Sequence, residues 1–200
     1  MYNWLQKLDQ ALIRESSREP IITKTLFRTL LAKDKLSIID CGAAGGSLPE
    51  WSVIDSSTIM YGFEPDESEC QRLNDLVQST GKNHYYYPQA LAGTAQKGRK
   101  FYITNHPQSC SLYMPNQKLI ERWRQYPGSI PQKTVDNVGL KRITAVDTST
   151  LDLWAQKNSI QEIDFIKMDV QGAELEILQG GSKLLSSALG LIVEVWFSPV

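Results

Sequence analysis

The run Asp40-Cys41-Gly42-Ala43-Ala44-Gly45-Gly46 holds the residue types from which a ligand-binding turn is built. Glycines carry no Cβ, so the backbone can bend sharply and come close to a bound molecule. Leu36, Ile38 and Ile39 precede it as a short apolar run, the pattern of a strand buried on both faces of a parallel sheet. Ser47 and Glu50 follow at capping-box spacing, and Pro49 is tolerated in the first turn of a helix. Strand, glycine turn and helix N-terminus together make a nucleotide-type loop, with an ordinary glycine-rich turn as the competing reading. A second apolar run, Ile59 to Phe63, ends in Glu64-Pro65-Asp66. Pro65 keeps Glu64 out of a helix, so its carboxylate stays at the strand tip. Glu64 lies about twenty positions beyond the glycine turn, where an acid can accept both hydroxyl protons of a ribose.

The elements that position these groups follow from the pattern around them. Residues 1 to 33 read as two amphipathic helices, one carrying Trp4, Leu5, Leu8 and Leu12, the other Ile22, Leu26, Phe27, Leu30 and Leu31. They form a lid or packing layer on the domain spanning 34 to 200. A short helix is expected from Leu48 to Asp55. Asp66 and Glu69 suit the start of another, with Cys70, Leu73 and Leu76 on its buried side and Gly81 at its end. This βαβ order implies a right-handed parallel crossover. His84 to Ala92 reads as a third strand. Phe101 to Thr104 is strand-like and opens an irregular insertion running to Gly128, in which Tyr113, Trp123 and Tyr126 either wall a pocket or pack on the core. Lys141 to Val146 is strand-like, and Thr150 to Trp154 leads into a short helix.

The stretch Ile163 to Gly181 gives a strand to Val170, a break at Gly172 and a helix from Ala173 to Gln179 burying Leu175 and Leu178. Leu191 to Phe197 is the fifth sheet strand. Lys167 and Glu194 stand inside otherwise apolar strands, where unpaired charge is costly, so the two are expected to pair across neighbouring strands.

The chain has 200 residues, 42% hydrophobic and 22% charged, with a net charge of −1. That balance gives no electrostatic case for nucleic acid or an acidic membrane. Cys41, Cys70 and Cys110 are odd in number and far apart, which fits neither a disulfide framework nor a zinc site and implies a reducing, cytoplasmic setting. The N-terminus lacks a signal-peptide layout, and no apolar run approaches a membrane span.

Ile38-Ile39-Asp40-Cys41-Gly42-Ala43-Ala44-Gly45-Gly46, Gly62-Phe63-Glu64-Pro65, Thr150-Leu151-Asp152 and Ile166-Lys167-Met168-Asp169-Val170-Gln171-Gly172-Ala173-Glu174 resemble the FkbM-type methyltransferases, over residues 35 to 200. Gln171 departs from the glutamate that the family often carries there. The resemblance implies a class I, Rossmann-like three-layer α/β sandwich whose sheet begins in the order 3-2-1-4-5. The family's final antiparallel hairpin is expected to be missing, because the sequence stops at Val200. The fifth strand then becomes an apolar edge, open to pairing in a homodimer.

The same resemblance implies S-adenosylmethionine (SAM) as cofactor and O-methylation of a small-molecule hydroxyl acceptor, on a sugar, glycan or polyketide-like metabolite. Asp40, Gly42, Ala43 and Gly45 are then assigned to the methionine and ribose end of SAM, Glu64 to the ribose hydroxyls, and Ala90 and Leu91 to the adenine edge. A hydroxyl acceptor must lose a proton, which asks for a base. Asp169 is the candidate because it ends the fourth sheet strand beside the cleft at the switch point. The competing roles for Asp169 are orienting the SAM ammonium group and capping the turn at Gly172. His106, in the insertion, is the alternative base. No metal site is expected. Two other readings compete with the enzyme reading: an NAD-dependent oxidoreductase, against which Ala44 replaces a fingerprint glycine, and a non-catalytic binding module.

Overall fold

A computed structural model of the chain describes residues 34–48, 51, 54–126 and 132–195. The expected N-terminal helices and the end of the last strand, with Trp196 and Phe197, lie outside these residues. So does part of the helix expected over 48–55.

Five parallel strands form the main sheet: β1 (Leu36–Cys41), β2 (Thr58–Phe63), β3 (His84–Tyr87), β7 (Phe165–Met168) and β8 (Gly190–Val193), in the order β3-β2-β1-β7-β8. The order is the one implied above, with β7 and β8 as fourth and fifth members. Ile38, Ile39, Met60, Phe63, Ile166 and Met168 are all but fully buried, as strands covered on both faces require.

Alternation along the strands sorts the two faces. Helix α1 (Glu67–Thr80) covers one, where Cys70 and Leu73 pack with Ala43 and Tyr86. Asp66 caps α1 by accepting from Ser68 N and Glu69 N, and Gly81 ends it at φ +66. Leu76, expected inside, is 51% exposed; Val77 packs in its place. The opposite face carries Tyr85 and Tyr87, flanking the inward-pointing Tyr86. It is covered by α4 (Leu151–Lys157) and α5 (Glu174–Gly180), through Leu151, Trp154, Ala155 and Ile177. In α5 the buried residues are Ile177 and Gly180, while Leu175 is 66% exposed. The expectation for Leu175 is corrected because it stands two residues from Ile177, about 200° round the helix and so on the opposite face.

Two further corrections concern the sheet. The expected third strand breaks at Pro88: β3 stops at Tyr87, and β4 (Ala90–Leu91) belongs to a second sheet of order β4-β6-β5. There β5 (Gln96–Thr104) and β6 (Leu140–Ser149) run antiparallel, bracketing the insertion that holds α2 (Gln117–Gln125) and α3 (Gln132–Asn137). Arg99 of β5 reaches Glu176 of α5 with two hydrogen bonds of 2.6 and 2.8 Å, tying the small sheet to the main domain. That contact holds the Glu176 carboxyl down at about 2. Among the described residues no helix is long and apolar enough to cross a membrane.

Candidate active site

The register of the central strands sets the site. Asp40 of β1 lies beside Lys167 of β7, and Cys41 beside Met168. One step further, Asp169 N donates to Cys41 O at 3.0 Å, which places Gly42 beside Asp169 at the carboxyl edge of the sheet. The two backbones touch: a Cβ built on Gly42 would sit 1.9 Å from Asp169 O, and Gly42 holds φ +81. Only glycine fits there.

Above this junction lies a hollow open to solvent on one side. Gly42, Glu64, Ala90, Leu91 and Asp169 all line it, so five of the expected site residues converge on one space. The others do not. Ala43 is fully buried against α1. Gly45 turns its N–H to Glu69 Oε1 at 2.9 Å and stands outside the lining. His106 precedes a single 3-10 turn over Pro107–Ser109; its carbonyl accepts from Thr104 Oγ1, and it does not line the hollow.

Asp40 lies beneath the loop with no exposure, and its carboxylate meets the ammonium of Lys167 at 2.9 Å. Lys167 also donates to Gly42 O at 2.9 Å, fixing the turn from below. The expected Lys167–Glu194 pair is thus corrected. Lys167 has a neighbour on each side in the sheet, and the register puts the carboxylate on the β1 side while Ile192 stands on the β8 side. Burial lifts the Asp40 carboxyl to about 6 despite that partner.

Glu64 is 6% exposed. Its Oε1 accepts from Asp66 N at 2.8 Å, while Oε2 has no donor among the described residues. Burial pushes its carboxyl up to about 7. Asp169 does not cap the turn that follows. That task falls to Glu174, whose carboxylate accepts from Val170 N and Gly172 N at 3.0–3.1 Å. Asp169 Oδ1 instead accepts from Gln171 Nε2 at 2.6 Å.

Sequence reasoning missed the wall opposite the glycine loop. Pro107, Gln108, Cys110 and Leu112 line it from the insertion, and Gln108 Nε2 donates to Ala44 O at 3.1 Å across the mouth. No spacing in the chain marks these residues, because a loop of mixed polar and proline residues carries no periodicity. Tyr113, weighed as a pocket wall, hydrogen-bonds Glu176 and lies under Arg99, outside the lining. Trp123 and Tyr126 are outside it as well. Among the described residues no group of three or more His, Cys, Asp or Glu is placed to hold a metal ion.

A parallel sheet of this order, a glycine turn after its first strand and an acid at the tip of its second define the Rossmann-like methyltransferase class. The FkbM methyltransferase domain matches residues 40–199, and the chain belongs to that family. It is similar to the 2-O-methyltransferase NoeI of Sinorhizobium fredii (strain NBRC 101917 / NGR234), with 26% identity over 196 residues covering 90% of this chain and 72% of that protein. No solved structure gives a significant match.

Proposed function

We propose that this methyltransferase uses SAM and methylates a hydroxyl of a sugar, glycan or polyketide-like small molecule. The observation that carries the reading is the shared hollow, with Gly42 and Asp169 abutting on one side and Glu64 on the other. The residues present fit SAM. A buried carboxylate with one oxygen lacking a donor among the described residues suits a pair of ribose hydroxyls. Ala90 and Leu91 supply an apolar edge for the adenine, and Gly42 lets the methionine end approach the backbone. Bound SAM supplies an activated sulfonium methyl. The chain's own task is then to align the acceptor oxygen and remove its proton. Asp169 holds the position for that proton. The name of the NoeI relative supports a hydroxyl oxygen as the acceptor.

Glu64→Gln is expected to weaken SAM binding by about 1–3 kcal/mol, measured by calorimetry at pH 8. The pH dependence has a definite sign. Ribose hydroxyls donate to the ionised carboxylate, and burial in the protein alone holds Glu64 at about 7. Below that value a proton must leave first, so wild-type affinity falls up to about tenfold per pH unit, and Glu64→Gln lacks this slope. Affinity unaffected by the substitution would place the ribose elsewhere. Transfer of labelled methyl to a panel of hydroxylated metabolites tests the reaction itself. SAM binding with no transfer to any of them would favour the non-catalytic module.

A further inference from the structure

We infer that Glu194 is a positioning residue for Asp169: strapped to it by Gln171 from outside the hollow, it couples the two carboxylates into one proton-accepting unit whose Asp169 member faces the acceptor hydroxyl. The inference rests on the methyl-transfer reading above.

Two observations lead to it. The first is register. Met168 stands beside Val193, and Glu194 N donates to Met168 O at 3.0 Å, so Asp169 and Glu194 are lateral neighbours at the ends of β7 and β8. Lateral neighbours in a parallel sheet project to the same face. The second is the strap. Gln171 holds φ +58, a left-handed conformation unusual for a residue with a side chain. From there its Nε2 donates to Asp169 Oδ1 at 2.6 Å and to Glu194 Oε2 at 2.9 Å, one hydrogen for each. A neutral amide can bridge two carboxylates without adding a third negative charge.

The consequence is chemical. An isolated carboxylate with pKa near 4 is a weak base for an alcohol. Two that share a site resist full ionisation, so the pair takes up a proton at higher pH than either alone. The neighbouring Asp169 carboxylate is the main reason that the Glu194 carboxyl is lifted to about 7. The other charged groups nearby are accounted for. Glu174 is occupied by Val170 N and Gly172 N, and Lys167 by Asp40 and Gly42 O, deeper in the sheet. In the reaction the acceptor O–H bond breaks and its proton passes to an Asp169 oxygen. The oxygen lone pair forms the new bond to the methyl carbon. The carbon–sulfur bond breaks with its electrons going to sulfur, which becomes a neutral thioether.

Two measurements test this. The first is carboxyl 13C NMR of the ligand-free chain, which is independent of turnover. A Glu194 resonance titrating near neutrality is expected, moving at least one pH unit lower in Asp169→Asn. A Glu194 that titrates as an ordinary glutamate, or ignores Asp169→Asn, overturns the inference even if methyl transfer is real. The second is kcat against pH at saturating SAM, which removes the contribution of Glu64 to binding. Wild type is expected to rise between pH 6 and 8. Glu194→Gln should lose that limb and at least about tenfold in kcat at pH 8, with SAM affinity held within about twofold. Glu194→Asp should restore the limb. A Glu194→Gln enzyme with the wild-type limb and rate refutes the inference. Absence of turnover in wild type refutes the methyl-transfer reading instead, and the NMR titration still decides whether the carboxylates are coupled.

Discussion

Lys167→Met is expected to destabilise the fold by about 3–5 kcal/mol at pH 8, the cost of leaving a buried charge without its partner. Asp40 has no exposure, and the Lys167 ammonium at 2.9 Å is what allows it to ionise there. Even with that ammonium, burial holds the Asp40 carboxyl at about 6, above its ordinary value of 3.8. The folded state therefore retains the proton to higher pH than the unfolded chain does. Stability contributed by protonated Asp40 is fully present below about pH 4 and is lost as pH rises through 6. Removing Lys167 leaves desolvation unopposed and extends this loss to higher pH. The deficit of Lys167→Met relative to wild type should thus be largest at pH 8 and shrink toward pH 5, where a neutral Asp40 has less need of the ammonium. Adding Asp40→Asn should recover most of the loss at pH 8. Urea denaturation of the three proteins at the two pH values reads both effects. A deficit equal at both, or one that Asp40→Asn fails to relieve, would show that Lys167 acts only by holding Gly42 O.

Asp169→Asn is expected to lower kcat by about 10²- to 10⁴-fold, the usual contribution of a general base. The substitution keeps the volume of the side chain and one oxygen for the Gln171 amide, so the turn should persist. It also leaves the cap on Gly172 intact, because Glu174 provides it. SAM affinity should stay within about twofold. The split between kcat and affinity separates the remaining roles: a group that orients the SAM ammonium would lose both together. The comparison is best made at pH 8, where Glu64 is ionised in both proteins.

Much of this site could be read from the chain because it depends on local chemistry. Gly42 and Glu64 announce themselves by what surrounds them: an apolar strand before each, a glycine turn after one and Pro65 after the other. The convergence of Gly42 and Asp169 follows from strand order, which the βαβ succession and the family resemblance supplied. What the chain concealed was lateral pairing. Alternation tells which face Lys167 occupies but not which neighbouring strand supplies its counterion. Register decides that, and here it chose Asp40. In the structure Asp40 and Lys167 each stand just before a strand's last residue on adjacent strands, a match hidden while the fourth strand was read to Val170. The break at Pro88 was hidden for a related reason. His84 to Ala92 is continuous in composition, yet a proline lacking an N–H cannot continue the ladder, and Ala90 and Leu91 join a different sheet. The insertion's contribution through Pro107 and Gln108 depends on contacts made across more than sixty positions, as with Gln108 and Ala44, and no local pattern encodes them.

The most direct measurement is a crystal structure of the chain grown with S-adenosylhomocysteine, the demethylated form of the donor. The expected result is ligand density in the hollow between Gly42 and Asp169, with the ribose on Glu64 and the sulfur turned toward the Asp169 side. Density seated elsewhere on the molecule, or a hollow left empty at a ligand concentration that saturates binding in solution, would contradict it.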